Sequence, residues 1–335
     1  YVTYGRLIGD NQFEFDRNLR IALGLEPDGN DYVNIDALDP DFLTLDMFGA
    51  DDLLNQGNNV VNYSGYDPYG NKMTRRPTLE DFFNEKNEAG YFTRPIQAFE
   101  PIYISGYVMD KFTFDDIIFN VGLRIDRFDA NQQVLKDPYV IGENYKVGDL
   151  SGDLLNQLQD GTVIPGNIGD DFAVYVDALE SPTSIVGYRD GDTWFNAAGT
   201  EINDPDILAV NEVYPAPWLV NGPDAELTSS AFRDYKPQIN VMPRVAFSFN
   251  ISDEAVFFAH YDILTQRPTS NNRFSPIDYF FIESRDNLIS NPDLRPEKTI
   301  DYELGFQQVL SKTSSLKISA FYKEMRDMIQ VRNFT

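Results

Sequence analysis

The chain has no cysteine and a single histidine, His260. The first absence excludes disulfide staples, thiolate metal sites and cysteine nucleophiles. The second excludes a histidine-rich metal centre. Basic residues are scarce: 27 Lys plus Arg face 53 Asp plus Glu, for a net charge of −26. That argues against nucleic acid as a partner, because its affinity rests on Lys and Arg meeting phosphates. A solvated acidic surface that attracts cations is what remains. Long hydrophobic runs are missing too. Residues 255–259 (AVFFA) are typical, far short of the roughly 20 apolar residues of a membrane helix. No secretory leader is visible. The sequence opens at Tyr1 within patterned residues and stops at Thr335 just after a strand-like run, and it reads as an internal fragment.

What is present is alternation. Ile117, Phe119, Val121, Leu123 and Ile125 are separated by Ile118, Asn120, Gly122 and Arg124, and Asp126 comes next. A strand sends successive side chains to opposite faces, so one face here is apolar and the other mostly polar. The pattern predicts six strands in three hairpins, over residues 101–114, 117–128, 239–251, 255–263, 299–310 and from Leu316 onward. The turns within hairpins are short: Asp115-Asp116, Ser252 to Glu254, and Ser311 to Ser315. The connections between hairpins are very long. Ordinary domains rarely hold structureless connections beyond about 12 to 15 residues. Outer-membrane barrels combine short periplasmic turns with long extracellular loops, apolar residues toward lipid and polar ones toward the lumen. The mean hydropathy of −0.37 is compatible, because only alternate strand residues touch lipid.

The predicted organisation is therefore a strand remnant and large extracellular loop over 1–99, a barrel hairpin over 100–128, a large acidic extracellular loop over 129–238, and barrel strands over 239–335 with an extracellular loop at 265–298. Asn120, Arg124, Asp126, Arg244 and Glu303 are expected to face the lumen, where ion pairing is the plain explanation for Arg124 and Glu303. Pro243 lacks a ladder donor and predicts a bulge or local break. The acidic loop carries 18 Asp plus Glu against 5 Lys plus Arg between Ala130 and Gln238. It holds enough Trp, Phe, Tyr, Leu and Val to fold, with short helices expected over 147–158 and 204–212. Tyr188, Trp194, Tyr214 and Trp218 are candidate ligand-stacking residues on that loop; the competing reading is a small core, since apolar rings are buried when they can be.

Asp28, Asn30 and Asp36 invite a calcium site, because clustered oxygens around glycine suit that ion. The spacing departs from the EF-hand order, and Asp-Gly-Asn is also turn chemistry. No other cofactor is expected. His260, Tyr261 and Asp262 have no nucleophile-elbow serine beside them, so no catalysis is inferred. Residues 5–9 (GRLIG) lack the Gly-Lys-Ser/Thr ending of a phosphate loop.

The strongest motif is Asn291-Pro292-Asp293-Leu294-Arg295-Pro296-Glu297-Lys298-Thr299, with Tyr302-Glu303-Leu304-Gly305-Phe306 just after it. It resembles the NP-x-L-x-PE…YELG signature of TonB-dependent outer-membrane receptors. Gly122 to Asp126 (GLRID) and Pro243 to Ser248 resemble strands of the same family, in the same order. Physically, Pro292 and Pro296 stiffen the loop's return into a strand. The resemblance implies an all-β fold that is part of a transmembrane antiparallel barrel of about 22 strands, in the outer membrane of a Gram-negative bacterium. It implies active import of a scarce nutrient (siderophore, glycan, cobalamin or peptide), driven by the TonB complex through an N-terminal plug that this fragment does not show. Membrane lipid, lipopolysaccharide and possible surface lipoproteins are the further partners expected. The alternative is a barrel serving as a scaffold for a surface complex.

Overall fold

The computed structural model describes residues 12–59, 61–158, 162–209, 214–269, 272–282 and 289–330. The chain forms two compact units, one from residues 12–134 and 234–330, the other from residues 135–233. The first contains a six-stranded sheet of β1 (Ile102–Phe114), β2 (Ile117–Asp129), β3 (Gln238–Ser252), β4 (Ala255–Gln266), β5 (Glu297–Ser311) and β6 (Ser314–Arg326). The strands lie in chain order, each antiparallel to its neighbours. All three expected hairpins are present. At the first turn Asp115 adopts φ 49°, a left-handed conformation that aspartate tolerates better than most residues.

Register decides which side chains share a face. Phe119 pairs with Phe112 and Phe247, Val121 with Val245, Tyr261 with Tyr302, and Tyr302 with Tyr322. Phe257 pairs with Phe249 and Phe306, and Phe306 with Ile318. Most apolar positions of the six strands thus fall on one side, while Met109, Ile118, Met242, Phe258 and Phe321 lie on the otherwise polar face. On β2 they run from Ile117 to Ile125, roughly 27 Å of strand at about 3.4 Å per residue. Tilted by about 40°, that length approaches the ~25 Å apolar band of an outer-membrane barrel. Asp110 departs from the rule: it pairs with Val121 on the apolar face, and nothing in the structure explains it.

Most strands extend beyond their apolar runs. Backbone pairing continues where alternation stops, so sequence period marks the lipid-facing part better than the strand ends. The break expected at Pro243 is one-sided. Its ladder with β2 is regular, Pro243 opposite Leu123, while the ladder with β4 stops at the next residue, Arg244 opposite Asp262. The bulge itself lies elsewhere, between Asn250 and Ser252.

Of the strand remnant and loop expected over 1–99, the described part, residues 12–99, contains helices and no named strand. Residues 1–11, including the Gly5–Gly9 stretch, lie outside the described residues. From Glu14 onward this part of the chain carries α1 (Glu14–Ala22), α2 (Ala50–Leu54) and α3 (Leu79–Asn84). In α1, Asp16, Leu19 and Arg20 are buried at helical spacing, and Asp16 accepts from Arg20 Nε at 3.3 Å. The start of α3 is a capping box: Asp81 N–H donates to Thr78 Oγ1 at 3.2 Å and Thr78 N–H to the Asp81 carboxylate at 2.7 Å, which satisfies two otherwise orphaned donors. Arg94 is buried against Phe82, Phe92 and Phe280 and donates to Asp51 at 2.9 Å.

The second unit holds a five-stranded antiparallel sheet that the sequence pattern did not predict. Its spatial order is Glu201–Ile202, Thr193–Asn196, Ile185–Asp190, Ala173–Val176, Ala216–Pro217. Both faces are covered. Val174, Val176, Ile185, Tyr188 and Trp218 belong to one core, and Ala173, Tyr175, Trp194 and Leu208 to another. A strand buried on both sides reads as an unbroken apolar run, so AVYV at 173–176 carries no period-two signal. Short helical turns occur at Val147–Asp149, Gly152–Leu155 and Pro205–Leu208, near their expected places.

Candidate functional site

The polar face of the six-stranded sheet gathers the chemistry. Asn120, Arg124 and Asp126 alternate on β2, and register sets them beside Lys111, Tyr107 and Ser105 of β1. Arg124 Nε donates to Asp126 at 2.8 Å; Tyr103 Oη donates to the same carboxylate at 2.5 Å and accepts from Arg124 at 2.9 Å. Farther across the sheet Arg244 donates to Asp262 at 2.9 Å, and Lys323 pairs with Asp301 at 3.0 Å. His260 lies 3.7 Å from Glu303 and 4.0 Å from Asp262. All five residues expected on the polar side therefore share one face. Solvated pairs of this kind each contribute about 0 to 1 kcal/mol, so they set polarity and shape more than stability.

Where the ladder between β3 and β4 ends, a concavity of about 590 Å³ opens. Tyr103, Tyr107, Arg124, Asp126, Met242 and Arg244 line it, with Arg267 at its loop end. The Arg267 guanidinium lies over the rings of Tyr103 and Phe128, 4.6 and 4.4 Å from their centroids. Tyr103, Tyr107 and Arg267 escaped the sequence reading, which ended the fourth strand at Ile263 and gave Arg267 to a loop. The strand continues to Gln266.

The motif residues act on the backbone. Asn291 Oδ1 accepts from the Asp293 N–H at 2.9 Å, and Gln238 donates to the Leu294 carbonyl at 3.3 Å. Pro292 and Pro296 are buried, and β5 starts immediately afterwards at Glu297. This is the stiff return into a strand that two prolines favour. Tyr302 points to the apolar face and Glu303 to the polar one. Gly305 lies opposite Phe258, whose ring leaves no room for a Cβ: one built there would come within 2.3 Å of it.

The loop aromatics are placed differently from one another. Tyr188, Trp194 and Trp218 are buried in the second unit's two cores, while Tyr214 is 46% exposed. The first three rings are thus occupied by packing. Arg189, also buried, donates to Tyr175 Oη at 3.0 Å and to the Gly191 carbonyl at 2.7 Å, and pairs with Asp137. Burial disfavours its charge, but Tyr175 and Asp137 outweigh that and hold its pKa above the usual arginine value. Burial pushes the Tyr175 phenol up to about 12. Asp28, Asn30 and Asp36 are exposed; among the described residues no group of three or more acidic or histidine side chains is placed to hold a metal ion. Among those residues, too, no helix is long and apolar enough to cross a membrane, so any crossing is made by strands.

A sheet with one apolar and one polar face, short turns at one end and long loops at the other, is the wall of an outer-membrane β-barrel. The family model described as "TonB dependent receptor-like, beta-barrel" matches residues 1–335, and the chain belongs to that family. It is a family of outer-membrane transporters rather than enzymes, whose members engage TonB through an N-terminal plug region. A search of curated proteins found no match, and neither did a search of solved structures.

Proposed function

We propose that the parent protein imports a scarce nutrient (siderophore, glycan, cobalamin or peptide), and that this chain supplies part of the barrel wall along its route. The observation that supports this most is the register-consistent polar face with its concavity: ligand would pass a wall of Arg, Asp, Tyr and Asn side chains while the opposite face meets lipid. The long loops would make first contact, with Tyr214 the exposed member of the four loop aromatics. At the loop end of the apolar face, Arg127, Lys298 and Arg326 are suited to lipopolysaccharide phosphates, although Arg127 and Arg326 also pair with Asp129 and Glu324. A barrel of about 22 strands, closed by a plug that couples to TonB, completes this reading.

The test is uptake by cells carrying or lacking the full-length gene, with and without TonB, offered each nutrient class in labelled form. Loss of uptake of one class in both deletions is expected. Unchanged uptake of all four, together with recovery of a stoichiometric surface partner from solubilised outer membrane, would favour the scaffold alternative. That rival draws support from the second unit, which has its own cores and an acidic sequence on which a surface lipoprotein could dock.

A further inference from the structure

The charge of the concavity runs against that of the chain. Among the described residues, three guanidiniums, from Arg124, Arg244 and Arg267, line it, and Asp126 is its one carboxylate. Asp126 accepts hydrogen bonds from Arg124 and Tyr103, and Arg267 is near enough to act on it through charge alone. Arg244 spends its Nε on Asp262 and remains 56% exposed. Arg267 has no carboxylate within ion-pair distance among the described residues; its contacts are the two ring faces. Held over two aromatic rings, a guanidinium loses freedom before any ligand arrives, and its planar fork of donors suits a two-pronged bond to an oxyanion. Beside it, Tyr107 is 80% exposed and offers an aromatic face to the body of a ligand.

We infer that this concavity is a binding site for an oxyanion-bearing ligand, a carboxylate or phosphate ester with an apolar or planar body, and that Arg267 grips the anion. The inference rests on the polar face being lumenal. The acidic surface elsewhere does not forbid it. Charges more than about 8 Å away are largely screened at physiological salt, so the nearby guanidiniums decide.

The experiment uses the full-length protein in detergent micelles and three fluorinated probes followed by ¹⁹F NMR: 4-fluorophenyl phosphate, 4-fluorobenzoate and neutral 4-fluorobenzyl alcohol. One or both anions should bind saturably, the phosphate and carboxylate arms showing which oxyanion is preferred, and the alcohol should not. Arg267→Gln should weaken anion binding about tenfold, the scale of one lost charge-assisted bond, and Lys317→Gln, on the same face outside the concavity, should leave it unchanged. Assembly of each variant is checked by heat-modifiable gel mobility. If Arg267→Gln does not assemble, Arg267→Lys, which keeps the charge but loses the fork, should still weaken binding several-fold. Equal binding of the alcohol, no binding by assembled wild type, or wild-type affinity in the assembled Arg267 variant would overturn the site. Uptake is scored separately: Arg267-dependent probe binding without nutrient uptake would sink the importer reading and keep the site.

Discussion

In the barrel wall Ile104, Val108 and Ile318 are 59%, 67% and 61% exposed, whereas Val174, Val176 and Tyr188 of the loop unit are 0%, 0% and 1% exposed. Both regions are antiparallel sheets rich in branched and aromatic residues. The loop unit buries its apolar side chains on both faces, with helical turns and loop segments covering the sheet. The wall leaves a whole face open. In water that face would be an association hazard far larger than the few hundred Å² of apolar patch a soluble monomer tolerates. Against hydrocarbon it is the favourable surface. The same residue types thus answer to different solvents, and the partner side of each strand shows which: polar in the wall, apolar again in the loop unit.

The contrast can be broken first in the loop unit. Arg189→Met removes one half of a buried ion pair, takes a donor from Tyr175 and leaves Asp137 with the Tyr139 N–H but no countercharge from Arg189. Such a loss costs about 3–5 kcal/mol. Limited proteolysis should then cut within residues 135–233 while the wall stays resistant; an unchanged pattern would mean that Arg189 is not what holds this unit.

In the wall the decisive substitution is Val121→Arg or Leu123→Arg, on the apolar face. Refolding into lipid vesicles should lose roughly 2–4 kcal/mol near the bilayer midplane, with Asn120→Arg far milder. Equal effects from the three would contradict the assignment of faces. A smaller loss is expected for Gly305→Leu, whose side chain would strike the Phe258 ring. Overpacking of this kind costs about 1–3 kcal/mol, and Phe258→Ala in the same chain should recover much of it, which a double-mutant cycle of vesicle refolding would measure.

The smallest effect concerns pH. Burial raises the Asp177 pKa, but hydrogen bonds from Thr183 and Ser184 outweigh it and hold the carboxyl below its ordinary range. A depressed folded pKa contributes stability that is present above the unfolded value near 4 and lost as pH falls through the folded value. Unfolding of the loop unit, followed by tryptophan fluorescence between pH 6 and 2, should show this as a shift of no more than about 1 kcal/mol. Asp177→Asn should flatten it.

Much of the wall was legible along the chain. Ile117 to Ile125 gave a strand and its faces, because period two is a local property that lipid on one side imposes residue by residue. The prolines at 292 and 296 likewise announced the return into β5. The helix at Glu14–Ala22 was missed, since its apolar stripe is thin and its buried face includes an Asp–Arg pair. The small sheet of the loop unit was missed because burial on both sides erases alternation.

By itself, then, the order of residues determined which segments form the wall, which side of each is mainly apolar, and that this sequence offers neither a thiol nor a histidine cluster. Tertiary structure alone decided the rest. Tyr103, Arg124 and Arg267 are apart in the chain and come together because register aligns β1 with β2 and the chain leaving β4 carries Arg267 over Tyr103 and Phe128. Pairing between strands is a long-range choice, and no local pattern encodes which side chains it will set around one hollow.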